Sequence, residues 1–299
     1  LSEQRTRDDA FEAHRKHLMA IAYRMTGSVA DSEDILQDAY LRWCRTDRDA
    51  VRQPKAFLSK TVTRLCIDSL ESAKSRREQY VGPWLPEPVL GEGAMAASDA
   101  TELAQDISMA LMMALERLSP AERAAFLLHD VFDADYAELA ETLQRSEAAC
   151  RQLVSRARAH VKAARPRYEP SGDEHTRVVR AFGEAISRGD VDGLREVLSD
   201  DAVLYPDGGG RIVSALRPIR GADRVARFVF GVLTKFPLSA EAKVLEVAVN
   251  GAPGFYIEDQ GRPVQTIAFD VQNGRIAAMY IVRNPEKLAR LRPVTSERV

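Results

Sequence analysis

The chain has 299 residues, 45% of them hydrophobic and 29% charged, with a formal net charge of -2 at pH 7. That length calls for two or three folding units, and the balance is that of an ordinary globular protein, neither disordered nor membrane-embedded. No apolar run approaches the ~20 residues of a membrane helix, and Leu1–Ala10 is too polar for the core of a secretory signal, so a cytoplasmic protein without a membrane partner is expected.

The first segment, residues 1–80, reads as three helices. Phe11, Leu18, Ile21, Ala22 and Met25 form a helical stripe that stops at Gly27. Ser28 and Asp31 make a start signal for a second helix, on which Ile35, Ala39 and Trp43 face one way and Asp34 and Asp38 the other. Trp43 therefore belongs to a core stripe. Pro54 opens a third helix with the stripe Phe57, Leu58, Val62, Leu65 and Leu70, closed by Lys74, Arg76 and Arg77. His14 and His17 share one wet helix face and make no metal site.

Across residues 81–100 Gly82, Pro83, Pro86, Pro88, Gly91 and Gly93 forbid a regular element, which predicts a linker. Trp84 and Leu85 are costly to leave in water, so the segment they sit in is expected to dock on another part of the molecule.

Residues 101–168 predict four helices. Leu103, Ile107, Leu111 and Ala114 mark the first, and Ser119-Pro120-Ala121-Glu122 is a capping box for the second. The last two form a helix-turn-helix: Tyr136, Leu139, Ala140 and Leu143 face inward on one, Ala149, Leu153 and Ala157 on the other, with Ser146 as its cap. The opposite side carries Arg151, Gln152, Ser155 and Arg156, a set suited to base edges in a major groove. Although the net charge is slightly negative, positive charge gathers here, in Arg145, Arg151, Arg156, Arg158, Lys162, Arg165 and Arg167.

From residue 177 to 292 the pattern becomes α+β. A helix with Val178, Val179, Phe182 and Ile186 precedes strand-like runs at 202–205, 243–249, 254–258, 264–271 and 275–283, and Asn273-Gly274 predicts a type I′ hairpin. A helix-backed antiparallel sheet is expected. Cys44, Cys66 and Cys150 are odd in number and scattered, which argues against disulfides and a cysteine zinc site; no metal or cofactor is expected.

Asp31-Ser-Glu-Asp-Ile-Leu-Gln-Asp-Ala-Tyr-Leu-Arg-Trp43 closely resembles the second conserved region of bacterial extracytoplasmic-function sigma factors, and the helix-turn-helix resembles their fourth region. Tyr80-Val-Gly-Pro-Trp-Leu-Pro-Glu-Pro88, Asp207-Gly-Gly-Gly210 and Asn284-Pro-Glu-Lys-Leu288 are similar to signature segments of the subgroup with a carboxyl-terminal SnoaL-like extension. The resemblance implies two all-α sigma domains followed by an α+β SnoaL-like domain. It implies an initiation factor whose partners are core RNA polymerase and promoter DNA, controlled in cis and not requiring a separate anti-sigma protein.

Residue by residue, it assigns Asp34, Gln37 and Asp38 to the polymerase, Lys60, Arg64, Arg76 and Arg77 to the minus-ten element, and Arg151, Gln152, Ser155 and Arg156 to the minus-thirty-five element. Regulatory contacts fall to Trp84, Leu85, Pro86, Glu87, Pro88, Asp207, Gly208, Gly209, Gly210, Asn284 and Pro285. Two rival readings stand beside it. One is a polymerase-independent DNA-binding regulator whose appendage senses a ligand. The other is an isomerase- or cyclase-like enzyme using Tyr205, Asp207 and His175, which fold analogy alone supports weakly, so no enzyme is expected.

Overall fold

The computed structural model describes residues 10–47, 51–91, 108–164 and 172–291, the side chains of 73–78 and 164 excepted. Its chain divides into two compact units, Leu1–Glu78 with Leu111–Pro166 and Gln79–Ala110 with Arg167–Val299.

In the first unit, α1 (Arg15–Thr26) ends where Gly27 takes the left-handed conformation and donates its N–H to Tyr23 O at 2.8 Å. Ser28 then caps α2 (Val29–Arg45) by accepting the Asp31 N–H at 3.2 Å, a cap of the kind worth ~1 kcal/mol. With α3 (Pro54–Glu78) these helices enclose Leu18, Ile21, Leu36, Leu58 and Trp43. Trp43 is buried and tilts against Phe57 with ring centroids 5.8 Å apart, so its surface is used in packing.

The other half of this unit begins with α4 (Met109–Leu115); Leu103 and Ile107 lie outside the described residues. Ser119 and Glu122 form a reciprocal capping box at the head of α5 (Pro120–Phe126), which runs on into a π-helical turn at Leu127–Val131. A second box, Asp135 with Glu138, opens α6 (Tyr136–Leu143). Gln144 turns the chain with φ of 53°, and Ser146 Oγ accepts the Ala149 N–H at 3.2 Å to start α7 (Glu147–Ala164). The buried stripe of α7 is Cys150, Leu153, Val154 and Ala157; Ala149 is only half-buried, one residue off the expected stripe.

Three cations join the two halves through helix ends, where backbone carbonyls lack partners of their own. Arg123 is buried and donates to Met25 O at the end of α1 (2.5 Å) and to Glu116 (2.7 Å). Arg64 donates to Thr142 O (2.9 Å) and Glu141 O (2.8 Å) at the end of α6, and Lys60 reaches the Glu141 carboxylate at 2.6 Å. Such charge-assisted bonds also favour the negative pole of a helix dipole. His17, expected on a wet face, is instead half-buried beside Ser59 (3.2 Å) with its ring edge-on to Phe132. Its long helix face lies against other helices, which a single-helix pattern does not disclose.

The second unit holds α8 (Gly172–Arg188), α9 (Val191–Val197), α10 (Ala222–Lys235), α11 (Pro285–Leu288) and a seven-stranded sheet in the order β1-β4-β5-β6-β7-β2-β3. The strands are β1 (Leu90–Gly91), β2 (Leu198–Asp207), β3 (Ile219–Arg220), β4 (Lys243–Val249), β5 (Ala252–Asp259), β6 (Arg262–Gln272) and β7 (Arg275–Val282). The sheet is mixed, not wholly antiparallel: β2 runs parallel to β7, with Leu204 beside Met279. A parallel pair demands a long crossover, and the chain supplies α10 along with three hairpinned strands. Those hairpins turn on Asn250-Gly251, Gln260-Gly261 and Asn273-Gly274, all with positive φ at both residues, as type I′ turns require. Phe182 of α8 packs edge-on to Phe269 at 5.0 Å and anchors the helical layer on the sheet.

Burial, then the charges of Lys55, His14 and Arg24, push the His17 imidazole down from 6.5 to about 4. Its contribution to stability is complete above pH 6.5, where both folded and unfolded forms are neutral, and is lost as pH falls towards 4 because only the unfolded form takes the proton. Urea titrations from pH 7 to pH 4 should show the wild type losing more stability than His17→Gln over this window; parallel curves refute the assignment.

Candidate nucleic-acid interface and a buried carboxylate clamp

The exposed side of α7 presents Arg151, Gln152, Ser155 and Arg156 together, because its buried residues recur three and four apart and leave these positions on the far face. Arg151 is steadied by Glu147 at 2.7 Å and by the Tyr136 ring, 4.9 Å below its guanidinium. Arg158, part of the same basic run, is bound to Asp130 (2.9 and 3.2 Å from Nε) and is not a free cation. On α2, Asp34, Gln37 and Asp38 are all exposed on one face, opposite Ile35, Leu36 and Ala39. Lys60 and Arg64, by contrast, are engaged with the end of α6. The side chains of Arg76 and Arg77 lie outside the described residues.

In the second unit, residues 80–91 form a strap along the sheet. The strap crosses the carboxylate of Asp207, which has no exposure to water. Four donors satisfy it: Tyr80 Oη at 2.5 Å and Gly209 N–H at 3.1 Å on Oδ1, Leu85 N–H at 2.9 Å and Lys287 Nζ at 2.7 Å on Oδ2. Burial, followed by the hydrogen bond to Asp207, raises the Tyr80 pKa far above its ordinary value, so the phenol remains a donor. Asn284 donates from Nδ2 to the same phenol oxygen at 2.9 Å and caps α11 with its Oδ1. Lys287 also donates to Leu85 O and lies 4.3 Å from the centre of the Trp84 ring.

Leu85, Pro86, Glu87 and Pro88 are buried, while Pro285 is exposed at the head of α11. The strap ends as β1, whose Leu90 pairs with Val249 at the sheet edge. Gly209 and Gly210 both have positive φ; a Cβ on Gly209 would stand 2.3 Å from Asn284 Nδ2, and one on Gly210 would meet Val81. The Gly208–Gly210 turn is thus closely held by its neighbours. Tyr80 and Lys287 are clamp residues that sequence reasoning left without a role, although both stand inside the signature segments Tyr80–Pro88 and Asn284–Leu288.

Tyr205, Asp207 and His175 do not converge. Tyr205 stacks on Tyr280 with centroids 5.4 Å apart, and Asp207 is consumed by the clamp. His175 is buried beside the Pro253 backbone and desolvation lowers its pKa. None of the three lines the cavity of about 660 Å³ enclosed by α8, α10 and the sheet. Among the described residues no group of His, Cys, Asp and Glu has the geometry for a metal ion.

Replacing Asp207 with Asn leaves the Lys287 ammonium, 11% exposed, without its counter-charge. Breaking a buried pair in this way costs on the order of 3–5 kcal/mol, whereas removing both charges costs less. Chemical denaturation should therefore show Asp207→Asn strongly destabilised, with Asp207→Asn/Lys287→Met recovering part of the loss. Equal stability of wild type and single variant would contradict the clamp.

Two family models match: Sigma-70 region 2 over residues 10–76 and Sigma-70 region 4 over residues 108–161. The chain is 40% identical to the ECF RNA polymerase sigma factor SigJ of Mycobacterium tuberculosis, covering 93% of this chain and 91% of that protein. It is 30% identical to the probable ECF RNA polymerase sigma factor SigI of the same species, with 95% of each chain covered. The crystal structure of M. tuberculosis SigJ superposes with a TM-score of 0.77 at 38% identity, covering 95% of this chain and 99% of the other. With both sigma regions in place and relatives matched along nearly their full length, this chain belongs to the ECF RNA polymerase sigma factors.

Proposed function

We propose that the chain binds core RNA polymerase and directs promoter-specific initiation, with its SnoaL-like second unit modulating that activity in cis. The observation that carries this reading is one polypeptide presenting Asp34, Gln37 and Asp38 exposed on α2 and Arg151, Gln152, Ser155 and Arg156 exposed on α7. Asp34, Gln37 and Asp38 would meet a basic surface of the polymerase through charge-assisted contacts. Arg151 and Arg156 suit guanine O6 and N7, while Gln152 suits adenine. Lys60, Arg64, Arg76 and Arg77 would hold the melted minus-ten strand by charge.

Because Lys60 and Arg64 are taken up by Glu141 and the end of α6, we read the first unit as a closed state that must release these cations before they meet DNA. Cis control is supported by the strap, whose clamp is buried within the second unit, and it removes the need for a separate anti-sigma protein. A non-enzymatic role is favoured by the dispersal of Tyr205, Asp207 and His175 away from the cavity.

Reconstituted transcription with core polymerase tests the proposal. Asp38→Arg should abolish polymerase binding without unfolding the chain, and Arg151→Ala should lose ~1–3 kcal/mol of discrimination at one minus-thirty-five base pair. Trp84→Ala should change promoter output without unfolding the chain. A chain that binds a duplex operator unaided and ignores the polymerase would instead support the independent-regulator reading.

Glu141→Lys replaces the partner of Lys60 with a repelling charge. Distance measurements between labels on α2 and α7 should lengthen, and promoter output should rise; an unchanged distance would refute the closed state.

A further inference from the structure

The cavity of the second unit departs from the apolar pattern at one end. Its sheet wall is made by alternate residues: Phe255 and Ile257 on β5, Gln265 and Ile267 on β6, Met279, Ile281 and Arg283 along β7 and just past its end. Alternation along a strand dictates that positions two apart share a face, so Gln265 and Arg283 occupy inward positions where apolar residues are the rule. Thr266 pairs with Val282 and Ile267 with Ile281; one step further in the same register, Gln265 and Arg283 come to facing positions, and both line the cavity.

Arg283 donates from Nη1 to Val213 O at 3.3 Å, but its buried Nε has no hydrogen-bond partner. An unsatisfied buried donor costs free energy unless something occupies the space beside it. Burial also lowers the Arg283 pKa, the effect an adjoining anion would reverse. The charged side chains along the wall are Arg283 and Lys235, with no Asp or Glu among the lining residues. At the mouth stand Val213, Phe236, Leu238 and Val244, four of the large hydrophobic side chains that remain exposed among the described residues. A site of this kind, concave, apolar and polar at one point, is a small-molecule site with an oriented ligand.

We propose that this cavity binds an amphiphilic carboxylate: an apolar chain lying along Phe182, Phe255, Ile267 and Met279, and a carboxylate head received by the Arg283 guanidinium and the Gln265 amide. Arg283 supplies the charge and a planar pair of donors, and Gln265 adds a neutral donor beside it. The absence of any carboxylate in the wall removes the repulsion that would otherwise reject an anion. Binding at this site stands independently of the transcriptional role, because it is read directly on the purified chain.

Isothermal calorimetry of the full chain with dodecanoate, dodecanol and dodecylamine, each below its micelle concentration, tests this. Dodecanoate should bind one to one, at least ten-fold tighter than dodecanol and more tightly still than dodecylamine. Arg283→Met should weaken dodecanoate at least ten-fold and leave dodecanol unchanged. Gly231 lines the cavity and a Cβ there meets nothing within 4 Å, so Gly231→Trp should fill the space and abolish binding with melting temperature preserved. No dodecanoate binding, equal binding of the three heads, or binding indifferent to both substitutions would overturn the site.

Discussion

A carboxylate without access to water governs the second unit. The Asp207 carboxylate has given up its water and takes four hydrogen bonds in exchange, since the penalty for stripping water from an ion exceeds most single interactions in a protein. Its partners come from separate parts of the chain: the strap through Tyr80 and Leu85, the Gly208–Gly210 turn through its own backbone, and α11 through Lys287. Each is required because the others alone leave part of the charge bare. The clamp therefore specifies one conformation of four segments at once, and the glycines follow from it, because Asn284 occupies the space a side chain on Gly209 would need.

The first unit is organised by the opposite charge. Arg123 and Arg64 each terminate a helix belonging to the other half, donating to carbonyls that the helix leaves open. Arg64 takes two adjacent carbonyls, Glu141 O and Thr142 O, at one such end. The buried Arg123, with Glu116 as counter-charge, is fixed in place; Lys60 is held by an exposed carboxylate whose hold is weakened by solvent and salt. Firm and releasable contacts thus lie side by side in one interface.

What a sequence can disclose follows from the range of the forces involved. Helix stripes, the Ser28 and Ser119 caps, the inward position of Trp43 and the turn at Asn273-Gly274 are local matters, and they were legible. The exposed faces of α2 and α7 were legible for the same reason, since a buried stripe defines its opposite. The parallel run of β2 beside β7 and the short strands β1 and β3 were not, because they depend on pairing across long separations; the helix over Ala222–Lys235 is local and amphipathic, and was overlooked rather than hidden. Among the site residues, Asp207 and Asn284 were assigned a regulatory contact, while Tyr80 and Lys287, members of the same motifs, gain a role only when the strap is laid on the sheet. Gln265 was hidden by the same cause: its inward orientation is a property of register, which one strand cannot declare.

The strap ends as β1, whose two residues pair with Ala248 and Val249 on β4. Without them, that stretch of β4 would present unpaired N–H and C=O groups, a ready template for a strand from another molecule. The segment that covers Asp207 therefore also blunts an edge of the sheet, so a chain whose strap is loosened should be the more prone to aggregate.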